Sequence, residues 1–150
     1  MNWNSVPNEE RLRLWKNLRN DLVDKSLDEQ LKEIAGFFSK FPIGSRTLDY
    51  YSPQDWPTPW EILFHGSFCR SSISLLMFYT LILIDIDEVI ELELIEDGGD
   101  IYLIPVIDCP GTEDHFVLNY YLGEVSSLRD IKDEIKVLTR YHQHQIKNID

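Results

Sequence analysis

The stretch 64-FHGSFCRSSISLLMFYTL-81 sets one cysteine between a Gly-Ser turn and a nearly unbroken apolar run. Gly66 can stop a preceding helix and Ser67 can cap a new one, with Ile73, Leu76, Met77 and Thr80 following at helical spacing among apolar neighbours. A helix with so little polar surface belongs in the core, and Cys69 is expected in its first turn.

Upstream, 8–23 carries Leu12, Trp15, Leu18 and Leu22 at helical spacing. Ser26-Leu-Asp-Glu29 is a capping-box pattern opening a second helix with Leu31, Ile34, Phe38 and Phe41 on one stripe. Pro42 and Gly44 end it, and 42-PIGSRTLDYYSPQDWP-57 reads as an ordered, aromatic-rich loop rather than a linker. Tyr51, Trp56 and Trp60 form a candidate binding platform there, although anchoring the loop accounts for such aromatics better. Thr58-Pro-Trp-Glu61 then combines an N-cap, proline at the first helical position and glutamate at the third, predicting a short helix to His65.

Downstream the period changes. The segment 89-VIELELIE-96 alternates, 97-DGGD-100 supplies a two-residue hairpin turn, and 101-IYLIPVID-108 returns as a second strand. Pro105 cannot donate to a ladder, so that strand is expected to be locally at an edge or bulged. A third strand, 115–122, follows 109-CPGTED-114, and Ser127 with Asp130 predicts a final helix over 127–147. The expectation is one α+β domain: an N-terminal helix pair (1–41), a helix-plus-sheet core (58–125) with a small antiparallel sheet of about three strands, and a C-terminal helix.

Charge is unevenly placed. No Lys or Arg lies between Arg70 and Arg129, and the twelve carboxylates from Asp85 to Glu124 equal the whole formal net charge of −12. A field of that sign disfavours direct nucleic-acid binding and anionic membranes and favours a basic protein surface, with Glu91, Glu93, Glu96, Asp97 and Asp100 as the presenting residues. The longest apolar run is too short to span a bilayer, and the N-terminus lacks a basic-then-apolar signal, so a soluble cytoplasmic protein is expected. Two cysteines without a secretion signal read as thiols rather than a disulfide. His142 and His144 are spaced for different faces of the expected helix, and Asp85-Ile-Asp87-Glu88 lacks an EF-hand's glycine and ligand spacing; neither a metal nor another cofactor is expected.

A thiol in a helix's first turn lies near unpaired N–H groups that stabilise thiolate, and Arg70 adds positive charge. A catalytic cysteine also needs a base, and His115 opens the third strand. Asn119 is about 13 Å from it along a straight strand, too far to orient the imidazole. Asp108 fits better, because a hairpin closed by 109–114 makes Asp108 and His115 cross-strand neighbours about 5 Å apart at Cβ.

Gly66-Ser-Phe-Cys69 on a central helix, followed by a sheet with Asp114-His-Phe-Val117 opening an inner strand, resembles the transglutaminase-like branch of papain-fold proteins over about 58–125. The resemblance implies a nucleophilic cysteine that attacks an acyl group, a histidine base and an orienting acid on the following strand. Here Phe68 stands where a small residue often precedes the cysteine, and 119-NYYLGEVSSLRD-130 offers no obvious acid on a next strand. The stretch 49-DYYSPQDWPTPWEIL-63 also resembles a small family of large tailed bacteriophages, including those of cyanobacteria, which implies a viral accessory protein acting in the host cytoplasm. Two functions follow: an acidic, non-catalytic interaction protein with a basic host or viral partner, or a thiol enzyme of acyl transfer or amide hydrolysis using Cys69, His115 and Asp108.

Overall fold

The computed structural model describes residues 3–44, 48–109 and 114–149; parts of the expected 42–57 loop and of the 109–114 turn lie outside these, Glu113 among them. Helices α1 (Asn8–Leu22), α2 (Leu27–Phe38), α3 (Pro59–His65) and α4 (Arg70–Leu83) precede strands β1 (Val89–Asp97), β2 (Asp100–Asp108), β3 (His115–Leu118) and β4 (Val125–Ser127). A single-turn helix α5 (Leu128–Ile131) and strand β5 (Lys136–His142) complete the fold. The strands form one antiparallel sheet in the order β4-β3-β2-β1-β5. The fold class is α+β.

Helix α4 is the centre of the core, buried from Ser71 through Leu81. It packs on the sheet face carrying Ile90, Leu92, Leu94, Leu103, Ile107 and Leu118. Its buried hydroxyls are satisfied: Trp15 Nε1 donates to Thr80 Oγ1 (2.9 Å), and Thr80 Oγ1 donates to Leu76 O (2.6 Å). The opposite sheet face carries a second, smaller cluster of Ile95, Tyr102, Ile104, Val106, Val117, Tyr120 and Ile131.

The 97–100 turn forms as its sequence demands, with Asp97 opposite Asp100 and both glycines at positive φ. Pro105 lies in an interior strand, but the β2–β3 ladder spans only Val106–Asp108, so proline sits just past its end, where a missing N–H costs nothing.

Three expectations need correction. Ser67 is not the cap of α4; Cys69 is, and the helix begins at Arg70. The sheet has five strands rather than about three. The predicted helix over 127–147 is one turn of α5 followed by β5, because Ser127 makes no side-chain cap bond and 136-KVLTRYH-142 divides its apolar residues between two sheet faces. Val137 packs with the second cluster and Leu138 with the first, a two-sided pattern that a helical stripe mimics. β5 also pairs the outer edge of β1, which would otherwise present an unmatched ladder. Among the described residues no helix is long and apolar enough to cross a membrane.

Candidate functional site

The path into α4 is set by Gly66, which ends α3 at φ 72°, a left-handed turn that glycine adopts without strain. Arg11, reaching over from α1, donates from Nε to Leu63 O (2.6 Å) and from Nη2 to Phe64 O (2.9 Å), satisfying carbonyls at the end of α3. The chain then places Cys69 as a helix cap in place of the usual serine. Ser72 N donates to Cys69 Sγ (3.3 Å) while Cys69 N donates to Ser72 Oγ (2.9 Å), a reciprocal capping box. Cys69 as a whole is 8% exposed.

The first turns of α4 are tied to one end of the sheet. Leu103 N donates to Ser71 Oγ (3.1 Å), Ser74 Oγ donates to Leu103 O (2.6 Å), and Tyr50 OH contacts Ser71 Oγ (3.0 Å) and donates to Ile101 O (3.2 Å). Asn119 stands at φ 64° just beyond β3, where its amide donates to Arg70 O (2.9 Å) and Ser74 Oγ (2.8 Å). Arg70 Nη2 in turn donates to Tyr120 O (2.6 Å) and Asn119 O (3.1 Å), with its guanidinium 3.6 Å above the Tyr102 ring. Cys69 therefore lies beside Ile101–Leu103 and Asn119–Tyr120.

His115 and Asp108 do meet across the β2–β3 hairpin, with Nδ1 to Oδ1 at 3.5 Å. They meet in the wrong place for Cys69. Phe116 and Leu118 pack toward the α4 side and Val117 toward the other, so strand alternation turns His115 with Val117 away from α4; Asp108 shares the parity of Val106 and turns the same way. His115 is also four residues, about 13 Å, from Asn119 along the strand. β2, whose Leu103 backbone bonds Ser71 and Ser74, opens on Asp100-Ile-Tyr102 without a histidine, and β3 ends at Leu118 with Asn119 just beyond it. Among the described residues no histidine hydrogen-bonds Cys69; His65, four residues before it, packs edge-on against the Phe64 ring.

The carboxylates of β1 are not a bare acidic face. Glu96 pairs across the ladder with Lys136, Glu93 with Arg140 and Glu91 with His142, so β5 sets a basic or titratable side chain opposite each. Glu91 Oε1 lies 3.2 Å from His142 Nδ1, and Glu93 Oε2 lies 3.6 Å from Arg140 Nε. Glu93 is buried and its pKa is raised, chiefly by desolvation. Asp97 accepts from Tyr102 OH (3.0 Å), and Asp100 is exposed. Of the aromatic platform, Trp56 is buried and donates to Asp49 O (2.7 Å), Trp60 packs edge-on against Trp15, and Tyr51 is exposed. Sequence reasoning missed the β5 cations because it assigned them to a helix, and underweighted Asn119, whose role depends on α4 rather than on His115. Among the described residues no group of three or more His, Cys, Asp or Glu side chains is arranged to hold a metal ion.

No family model and no curated protein matches the chain. Among solved structures it is similar to LapG of Legionella pneumophila, a transglutaminase-like, papain-fold cysteine protease, at 15% identity and a TM-score of 0.74 over 90% of this chain and 74% of that one. Calcium-bound LapG gives 14% identity and a TM-score of 0.75 over 91% and 76% of the two chains. The likeness is one of fold.

Proposed function

We propose that this chain is a transglutaminase-like domain that binds an extended peptide segment at the Cys69 end of its sheet, with a capped thiol but without the base for rapid acyl transfer. The observation carrying this reading is the side-chain alternation of β3, which turns His115 and its partner Asp108 away from α4. A thiol without a positioned base loses most of the chemistry, because nucleophile and base act as a unit. The likeness to a cysteine protease supports a peptide as the occupant. The phage resemblance of 49–63 supports an accessory role in an infected bacterial cell.

A second reading, thiol acyl transfer through Cys69, is favoured by the Ser72 N–H aimed at Sγ, which stabilises a thiolate. Alkylation of Cys69 by iodoacetamide across pH separates the two. Binding without turnover predicts a slow reaction whose rate changes less than about twofold in His115→Ala at every pH. A rate plateau near neutral pH that disappears in His115→Ala would establish the enzyme reading instead.

A further inference from the structure

Four large apolar side chains remain exposed around the start of α4. Ile43 is held there because Gly44 N donates to Phe68 O, and Ile101 because its carbonyl accepts from Tyr50 OH, which also contacts Ser71. Tyr121 and Leu122 follow Tyr120, whose carbonyl accepts from Arg70. Their exposures are 57% for Ile43, 44% for Ile101, 50% for Tyr121 and 69% for Leu122. Single exposed apolar residues need no explanation, but a group gathered at one end of a sheet marks a contact surface.

Arg70 sits among them. It is the one Lys or Arg between Arg46 and Arg129. Its bonds run to two backbone carbonyls and its guanidinium rests on the Tyr102 ring; it forms no ion pair, and Nη1 has no partner, among the described residues. A half-buried guanidinium without a carboxylate keeps an unmet preference for an anion. The surroundings limit how much negative charge is tolerated: Asp97 holds the Tyr102 hydroxyl, and Asp100 and Glu124 lie on the adjoining turns.

Building on the peptide-binding reading, we infer that the segment bound here carries a single carboxylate side chain flanked by apolar residues, the carboxylate taken by Arg70 and the apolar residues by Ile101, Tyr121 and Leu122. A run of several acids would be repelled by the flanking carboxylates, and a basic segment would leave the Arg70 guanidinium without an anion.

The test uses two short fluorescent peptides, Gly-Val-Glu-Val-Gly and its Gln counterpart, with binding read by anisotropy and by amide shifts in the intact chain. The Glu peptide should bind at least about fivefold tighter, the preference should vanish in Arg70→Gln, and Leu122→Ser, a change at an exposed side chain that the fold does not need, should weaken both peptides. Equal binding of the two peptides, or a preference surviving Arg70→Gln, overturns the carboxylate assignment while leaving peptide binding in place. If neither peptide shifts the amides of 69–72, 101–103 or 119–122, the peptide-binding reading itself falls.

Discussion

Asp108 and His115 face each other across the β2–β3 hairpin, Oδ1 to Nδ1 at 3.5 Å, on the side of the sheet opposite Cys69. Both side chains are well exposed, so their attraction is screened by water. A double-mutant cycle on Asp108→Asn and His115→Ala, read by urea unfolding, should give a coupling below about 1 kcal/mol. A coupling several times larger would mark the pair as a constrained, functional unit.

Gly66 is where the entry to Cys69 is most easily broken. Its φ of 72° disfavours any L side chain, and a Cβ there would come within 2.7 Å of Arg11 Nη2 and 2.9 Å of Arg11 Cζ. Arg11 cannot yield cheaply while it holds Leu63 O and Phe64 O. Gly66→Ala should cost about 2 kcal/mol or more, and Arg11→Met a similar amount by stranding the carbonyls. Calorimetry would show both losses; a neutral Gly66→Ala would mean that the α3–α4 turn is set by something other than Arg11.

How much of this was legible in sequence depended on whether the signal was local. The capping box at Thr58, the Asp97–Asp100 turn and the apolar run after Cys69 each rest on neighbouring residues, and each forms as read. The Asp108–His115 juxtaposition followed from a hairpin in the same way. What failed needed long-range knowledge. Lys136–His142 is a strand because β1 offers an edge to pair with, and the side on which His115 emerges is decided by which face α4 covers. Asn119 is too far along the strand to orient His115, as its spacing implies, but nothing local in the sequence shows that its amide serves α4 across 49 and 45 residues of chain.

Asn119 therefore supplies a third test. Its Nδ2 donates to two acceptors, Arg70 O and Ser74 Oγ, while its backbone holds φ 64°, which asparagine and aspartate both tolerate. Asn119→Asp keeps the shape and the turn but points carboxylate oxygens at a carbonyl oxygen. The loss should be about 2 kcal/mol, and faster hydrogen exchange should appear at the first turn of α4 and at Leu103. An unchanged stability would show that Arg70 and Ser74 find other partners.

Trp56 should be the costliest single truncation in the 48–57 segment. It is 1% exposed, donates from Nε1 to Asp49 O and packs edge-on against Tyr141 of β5, at 5.3 Å between ring centroids and 83° between planes. Tyr141 OH donates in turn to Tyr50 O, so this loop and the outer strand are fastened together. Trp56→Ala should lose about 3–5 kcal/mol and increase exchange of β5 amides together with those of the loop. Tyr51→Ala, at an exposed ring, should change stability by less than about 0.5 kcal/mol. If the two substitutions cost alike, the loop is not anchored through Trp56.

Glu93 gives the pH dependence with a definite sign. Burial raises its pKa, Glu91 adds to the rise, and Arg140 and His115 oppose it; Oε1 has no partner among the described residues. A carboxyl whose folded pKa lies above its unfolded one contributes stability that is fully present below the unfolded value and lost as pH rises through the folded value. Wild type should therefore lose part of its stability between about pH 5 and about pH 8, whereas Glu93→Gln, which keeps the shape without the buried charge, should lose less. At the upper pH the variant should be the more stable by about 1 kcal/mol. Urea midpoints for both proteins at the two pH values decide it: a wild type that gains stability with pH relative to Glu93→Gln would mean that Arg140 closes on the ionised carboxylate and outweighs its desolvation.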